Sequence, residues 1–319
     1  MKTLGFPYKL TFAVTYKCNS RCKICNIWKT KPKDELTAEE IKKFFSKNSF
    51  PWVNLTGGEV FLMDNLVEIV KSMNVYLLNI TTNGTVAEKI IKDSEKIKKI
   101  VPKFILAVSI DGPRKLHDEL RGIKCWDKAV STYKKLKERG IESYVGYTLS
   151  PYNIGKIEET YREIRKVIPD FEMKDFHLNF YHESDIYFNN KGKAKRDYDY
   201  ENYLKKKTRE FAKIKKGLGP VSILERRYMK LIEKYLESGI SPLPCRALSS
   251  SCYIDPQGNV YPCTFFNKKL GNIRETNYEL KKIWDSEKAK ETRKLIKENK
   301  CPGCWTPCEA YQTILGNLI

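Results

Sequence analysis

No apolar run in the sequence approaches the roughly 20 residues of a membrane span. The opening stretch, MKTLGFPYKLTFAV, lacks a signal peptide's continuous apolar segment and small-residue cleavage site. No short internal repeat and no low-complexity tract is present. Acidic residues are few, 39 against 59 lysines and arginines, for a formal net charge of +20. The first two absences set the expectation of a cytoplasmic protein. Its ten cysteines are then reduced, and read as metal ligands before disulfides. The charge excess favours anionic partners, or else marks a Lys-rich, thermophile-like surface. Nucleic acid is not the expected partner. The basic residues spread along amphipathic helices rather than forming a module with stacking aromatics.

What the sequence does have is alternation. KLTFAVTY (9–16) alternates apolar and polar residues and runs up to the first cysteine cluster. Thr37 and Glu40 form a capping-box pattern ahead of IKKFF. WVNLT (52–56) reads as a strand entering Gly57-Gly58. NLVEIVKSM (65–73) reads as a helix, VYLLNITTN (75–83) as a strand, AEKIIKDSEKI (87–97) as a helix and KFILAVSID (103–111) as a strand. The helix 126–139 is stopped by Gly140. SYVGYTL (143–149), IGKIEETYREIRKVI (154–168) and DFHLNFY (175–181) complete six βα-type units. This alternation predicts a parallel sheet or partial barrel, whose ligands gather at the carboxyl ends of the strands. The cysteines, Gly57-Gly58-Glu59, Asn83-Gly84 and Asp111-Gly112 all follow strands.

The expected division is a core over 1–183, a helical connector over 184–240 and a cysteine-rich module over 241–319. In the connector SDIYFNNKGKAKRDYD reads as a polar loop. YENYLKKKTREFAKIKKG and ILERRYMKLIEKYLESG read as two amphipathic helices, the second capped by Ser222 and Glu225.

CNSRCKIC (18–25) places Cys18, Cys22 and Cys25 at Cys-x3-Cys-x2-Cys spacing. Thiolates bind zinc or iron–sulfur clusters. Structural zinc usually takes four protein ligands, and no fourth Cys or His lies near these three. A four-iron cubane needs one ligand per iron, so three cysteines leave one iron open to a substrate atom. The alternative from a different class is a non-enzymatic zinc-binding interaction protein. Colour separates them, because a reconstituted iron–sulfur protein is brown.

CNSRCKIC after the first strand, TGGE (56–59), TTNGT (81–85) and SIDGPRKLHDELRG (109–122) together resemble the radical S-adenosylmethionine (SAM) enzymes, over roughly residues 8–182. The resemblance implies an α/β fold with a partial (β/α)6 TIM-like barrel. It implies a [4Fe–4S] cluster on Cys18, Cys22 and Cys25, whose open iron chelates SAM. Gly57, Gly58 and Glu59 resemble the segment holding the SAM amino group. Ser109 resembles the residue reaching its ribose and carboxylate, and Arg121 one pairing with the carboxylate. The implied chemistry is reductive SAM cleavage and hydrogen abstraction by a 5′-deoxyadenosyl radical. Ile24 stands where the motif is usually aromatic, and Val60 where proline often follows the glutamate.

The tail, Cys245-x6-Cys252-x5-Gly258-x4-Cys263 then Cys301-x2-Cys304-x3-Cys308, resembles the SPASM or twitch auxiliary-cluster module. That implies one auxiliary [4Fe–4S] cluster, expected on Cys245, Cys252, Cys263 and Cys308. Cys301 and Cys304 are substitutes, an incomplete second site, or zinc ligands. DPQGNVYPC reads as a hairpin turned by Gly258. Cys125 reads as a bystander. On DFHLNFY the period of two puts His177, Asn179 and Tyr181 on one face, where they are expected to serve substrate recognition or proton transfer. His182, Glu183 and Asp185 follow. Sulfatase-maturing relatives carry an acidic base after an auxiliary cysteine, and here Thr264 follows Cys263, so that activity is not expected. The expected substrate is a peptide, protein or organic cofactor precursor, the alternative an anionic small molecule, lipid or nucleotide. The expected electron donor is an acidic low-potential ferredoxin or flavodoxin.

Overall fold

The computed structural model describes residues 5–192, 194, 197–215, 217 and 219–318. Six strands run parallel and pair in chain order: β1 (Lys9–Thr15), β2 (Trp52–Gly57), β3 (Leu77–Thr82), β4 (Lys103–Ser109), β5 (Ser143–Leu149) and β6 (Phe176–Phe180). Between and after them lie α1 (Ala38–Lys47), α2 (Leu66–Lys71), α3 (Ala87–Lys98), α4 (Arg114–Arg121), α5 (Trp126–Glu138) and α6 (Ile157–Val167). The result is the expected α/β partial barrel.

β1 shows how the pattern builds it. Leu10, Phe12 and Val14 face the helices, and Phe12 packs 6.0 Å from Phe44 and 5.8 Å from Phe45 of α1. The alternate residues Lys9, Thr11 and Thr15 face inward, yet are buried too. Both faces of this strand are covered, as parallel sheets require. The Thr37–Glu40 capping box forms as expected.

The sheet continues past β1 into the tail. β7 (Ser251–Ile254) pairs parallel with β1, Lys9 opposite Ser251. β8 (Asn259–Tyr261) and β9 (Gly271–Asn272) follow antiparallel. The expected hairpin is β7–β8, with Gly258 at φ +83° and Asp255 Oδ1 accepting from the amides of Gln257 (3.0 Å) and Asn259 (2.9 Å).

Past β6 come α7 (Tyr198–Ile214), α8 (Pro220–Lys230) and α9 (Ile232–Ser238), and past β9 come α10 (Leu280–Trp284), α11 (Glu287–Lys297) and α12 (Pro307–Gly316). The single helix expected over 223–239 is two, α8 and α9, divided at Leu231. It also starts earlier, with Gly219 at the N-cap and Pro220 in the first turn, so Ser222 and Glu225 do not cap it. Glu225 points inward instead, to His177.

α12 spans the gap between the first and last barrel strands. On the β1 side Tyr8 Oη donates to the Gln312 carbonyl (3.0 Å) and Lys9 Nζ donates to Gln312 Oε1 (2.8 Å). On the β6 side Tyr311 Oη lies 3.3 Å from His177 Nε2. Among the described residues no helix is long and apolar enough to cross a membrane.

Candidate active site

The three cysteines sit in the loop that leaves β1, half-buried. The end of α4 supports this loop: the amides of Arg21 and Lys23 donate to the carbonyls of Arg121 (2.7 Å) and Leu120 (2.8 Å). Gly122 makes the approach possible. It takes φ +65°, and a Cβ there would stand 2.6 Å from the Arg21 carbonyl oxygen. Burial pushes the Cys18 thiol up and the Cys25 thiol up to about 12, with the Cys22 charge adding and Arg121 opposing. Thiolate ligands must lose those protons, so binding a metal cluster here releases them.

Gly57 and Gly58 bring the end of β2 against the same loop. A Cβ at Gly57 would lie 2.4 Å from Thr15 O, and one at Gly58 would lie 2.0 Å from Lys17 O. The amides of Gly58 and Glu59 donate to those two carbonyls, at 2.7 and 2.8 Å. Glu59 is buried, and its carboxylate accepts from Thr82 Oγ1 (2.8 Å) and from the amides of Asn83 (2.7 Å) and Phe61 (3.2 Å). It therefore fastens the end of β2 to the end of β3. Asn83 reaches on to the cysteine loop, donating to Asn19 Oδ1 (2.7 Å) and Ser20 Oγ (3.0 Å).

Arg121 pairs with buried Asp111 at 2.5 Å and donates to Cys22 Sγ at 3.7 Å. Its Nε is buried without a partner. A guanidinium beside a cysteine sulfur, with one N–H left over, suits an anionic group bound at the cysteines. Ser109 is half-buried at the end of β4, opposite Gly146.

The segment after β6 closes over the loop, which the sequence did not reveal. Asn190 is fully buried and donates to the carbonyls of Ile24 (2.9 Å) and His182 (3.0 Å). Asn26 donates to Asn189 O at 2.8 Å. Tyr187 hydrogen-bonds Thr56. The polar residues of this loop are here a set of braces.

Inside the barrel, register and alternation point Thr56, Thr81, Ala107, Gly146 and Asn179 inward. These small or polar side chains line the barrel interior, the chamber below the cysteine loop. Asn179 Oδ1 is buried with no partner. Tyr181 instead turns its hydroxyl toward Asn190 O (3.3 Å) and Glu183 (3.4 Å). His177 is buried at the start of β6, with Nδ1 2.6 Å from Glu225 Oε1. His182 accepts from the Trp305 amide at 3.4 Å. Asp185 pairs with Lys191 across 3.5 Å.

In the tail the expected ligand set is Cys245, Cys252, Cys263 and Cys308. Cys245, Cys263, Cys301 and Cys304 line one pocket, with Glu309, Phe265 and Phe266. Burial pushes Cys304 up, and the charges of Cys263, Cys245 and Cys301 add to it. Cys252 is buried in β7, and burial is the main cause of its raised pKa, with Glu309 adding. Cys308 faces Lys9 and Glu309. Cys125 contacts His117 Nε2 at 3.3 Å. Among the described residues, the His, Cys, Asp or Glu group whose ligand atoms all come within 4.8 Å is His117, Asp118 and Cys125. A single zinc would draw its sulfurs to ~3.8 Å, so the wider thiol groups suit an iron–sulfur cluster better.

Residues 12–164 match the radical SAM superfamily, and residues 245–309 match SPASM, an iron–sulfur cluster-binding domain. The chain belongs to the radical SAM superfamily. Its cofactors are a [4Fe–4S] cluster with SAM and an iron–sulfur cluster in the SPASM domain. This radical SAM chain is 27% identical to the Bacillus subtilis (strain 168) antilisterial bacteriocin subtilosin biosynthesis protein AlbA, covering 93% of this chain and 65% of that one. It is 27% identical to a Clostridium perfringens cysteine-type anaerobic sulfatase-maturating enzyme, covering 82% and 73%. The fold superimposes on native anSMEcpe with bound AdoMet at TM-score 0.63 and 19% identity, covering 97% and 95%. The chain thus spans just under two thirds of AlbA's length.

Proposed function

We propose that this chain matures a peptide or protein by SAM-dependent radical chemistry. The observation that carries the proposal is the pairing of two thiol groups in one fold: a trio at the strand ends and a quartet lining one pocket in the tail. The names of the two curated relatives, a bacteriocin biosynthesis protein and a sulfatase-maturating enzyme, favour such a substrate.

When bound, the cluster and SAM together supply a 5′-deoxyadenosyl radical that removes a substrate hydrogen. The chain's part is to hold and exclude. Cys18, Cys22 and Cys25 would ligate three irons. Gly57 and Gly58 let backbone carbonyls approach the SAM ammonium, and Arg121, steadied by Asp111, would meet its carboxylate. Glu59 acts by fixing the strand ends around that position. Ser109 would face the ribose. Asn179, with its free buried oxygen, would hold a donor group of SAM or substrate. Cys245, Cys263, Cys301 and Cys304 would ligate the auxiliary cluster, replacing the set that includes Cys252 and Cys308. Thr264 in place of an acid after Cys263 argues against sulfatase maturation as the activity. An acidic ferredoxin or flavodoxin remains the proposed electron donor, matched to the +20 chain.

The test is anaerobic incubation of reconstituted, reduced protein with SAM and a synthetic pool of cysteine-containing peptides. Release of 5′-deoxyadenosine together with a peptide mass change supports the proposal. A brown, cluster-loaded protein that releases none counts against it.

A further inference from the structure

We propose that Tyr311, His177 and Glu225 form a proton relay on the floor of the chamber, drawing a proton from the bound substrate. The inference rests on the radical SAM reading above and deepens it.

The three residues lie on α12, β6 and α8, far apart in sequence. The helix that closes the barrel seam brings them together. His177 Nδ1 stands 2.6 Å from Glu225 Oε1, and both side chains are buried, at 9% and 6% exposure. Tyr311 Oη lies 3.3 Å from Nε2 and 3.5 Å from Nδ1, its ring edge-on to the imidazole. Lys215 Nζ meets Glu225 Oε2 at 3.0 Å and donates to the Lys174 carbonyl at 2.7 Å. Tyr144 packs its ring 4.8 Å from the imidazole and pairs its hydroxyl with Asn79 at 3.4 Å. Glu225, Lys215, Tyr311 and Tyr144 are thus the titratable groups facing His177 from the elements packed on it.

Exposure orders them. Glu225 and His177 are buried, whereas Tyr311 is half-buried. Tyr311 also lies one helical turn from half-buried Cys308, on the same face of α12. Tyr311 is therefore the least covered residue of the three. A purely structural tie could be made of apolar side chains without removing charges from water.

The chemistry follows from the hydrogen bonds. With Nδ1–H committed to the carboxylate, Nε2 keeps its lone pair. Tyr311 O–H donates to Nε2 and offers its remaining lone pair to the chamber. A substrate N–H, S–H or activated C–H proton moves to the Tyr311 oxygen as the phenol proton moves to Nε2. The imidazolium so formed lies against Glu225, and no electron passes through the relay. Tyr311 is the catalytic residue. His177 and Glu225 act through it, and Lys215 balances the carboxylate at rest.

The test is 15N NMR of histidine-labelled, reconstituted full-length protein. The chain has only three histidines, and His177→Gln assigns the ring of interest. The relay requires the proton on Nδ1. Tyr311→Phe should shift the Nε2 resonance and leave Nδ1–H in place. Glu225→Gln should disturb Nδ1–H, with Glu225→Asp restoring it in part. A proton on Nε2, or no response to Tyr311→Phe, overturns the relay. With the peptide selected from the synthetic pool, Tyr311→Phe should lower modified product about a hundredfold relative to 5′-deoxyadenosine released. Unchanged product, or equal loss of both, also overturns it. If the unaltered protein releases no 5′-deoxyadenosine, the functional reading fails, and the NMR arm still decides the relay.

Discussion

The two thiol groups of this chain are built in opposite ways. Cys18, Cys22 and Cys25 come from one short loop, half-buried, with Arg121 alongside. Cys245, Cys263 and the Cys301–Cys304 pair come from three stretches of the tail and line one pocket. On the proposed ligation, the first group leaves one iron open and the second supplies four protein ligands. The lesson is one of division of labour: the open trio is suited to bind a small molecule, the closed quartet to hold a cluster in place or pass an electron.

The largest expected effect separates the two groups by activity. Cys22→Ala should reduce 5′-deoxyadenosine release to background, read by chromatography of the reduced protein with SAM. Retained release would mean that the trio is not where SAM reacts. Next comes metal content. Serine at Cys245, Cys263, Cys301 or Cys304 should lower iron from about eight to about four per chain. Alanine at Cys252 or Cys308 should leave it unchanged, and the reverse pattern would restore the ligand set expected from sequence.

A smaller effect tests how the loop is held. Gly58→Ala places a methyl 2.0 Å from the Lys17 backbone oxygen. It should cost about 1–3 kcal/mol, visible as a lowered Tm and weaker SAM binding. The smallest concerns the tie between barrel and tail. Arg274 pairs with Glu40 at 2.6 Å, and that bond is the first cause holding the Glu40 carboxyl down at about 2. A depressed folded-state pKa means that its stabilisation is complete above the unfolded value and is lost as pH falls toward about 2. Solvent screening limits this to about 1 kcal/mol. The stability gap between Glu40→Gln and the unaltered protein, read from unfolding curves, should be full at pH 6 and narrower at pH 3.

The same contrast explains what the sequence made legible. Strand–helix alternation gave the six barrel strands with ends displaced by a residue or two, because each signal is local. The cysteine trio was equally plain, since its spacing lies within one loop. The grouping of the tail thiols was not, because spacing ranks Cys252 and Cys308 no lower than Cys301 and Cys304. That Cys245, Cys263, Cys301 and Cys304 line one pocket depends on how the tail folds back on itself. Glu225 carried a capping pattern, yet its carboxylate serves a buried histidine 48 positions away. Asn190 looked like loop surface but is fully buried as a brace. Tyr311 carried no signal, since a lone tyrosine on a helix reveals nothing of what it faces.

The most direct measurement is electron–nuclear double resonance on the reduced protein with SAM carrying 15N in its amino group and 17O in its carboxylate. Direct coupling of both labels to the cluster signal is expected, and should vanish in Cys22→Ala. A signal unmoved by SAM, with every iron of the N-terminal cluster held by a protein ligand, would contradict the open-corner arrangement.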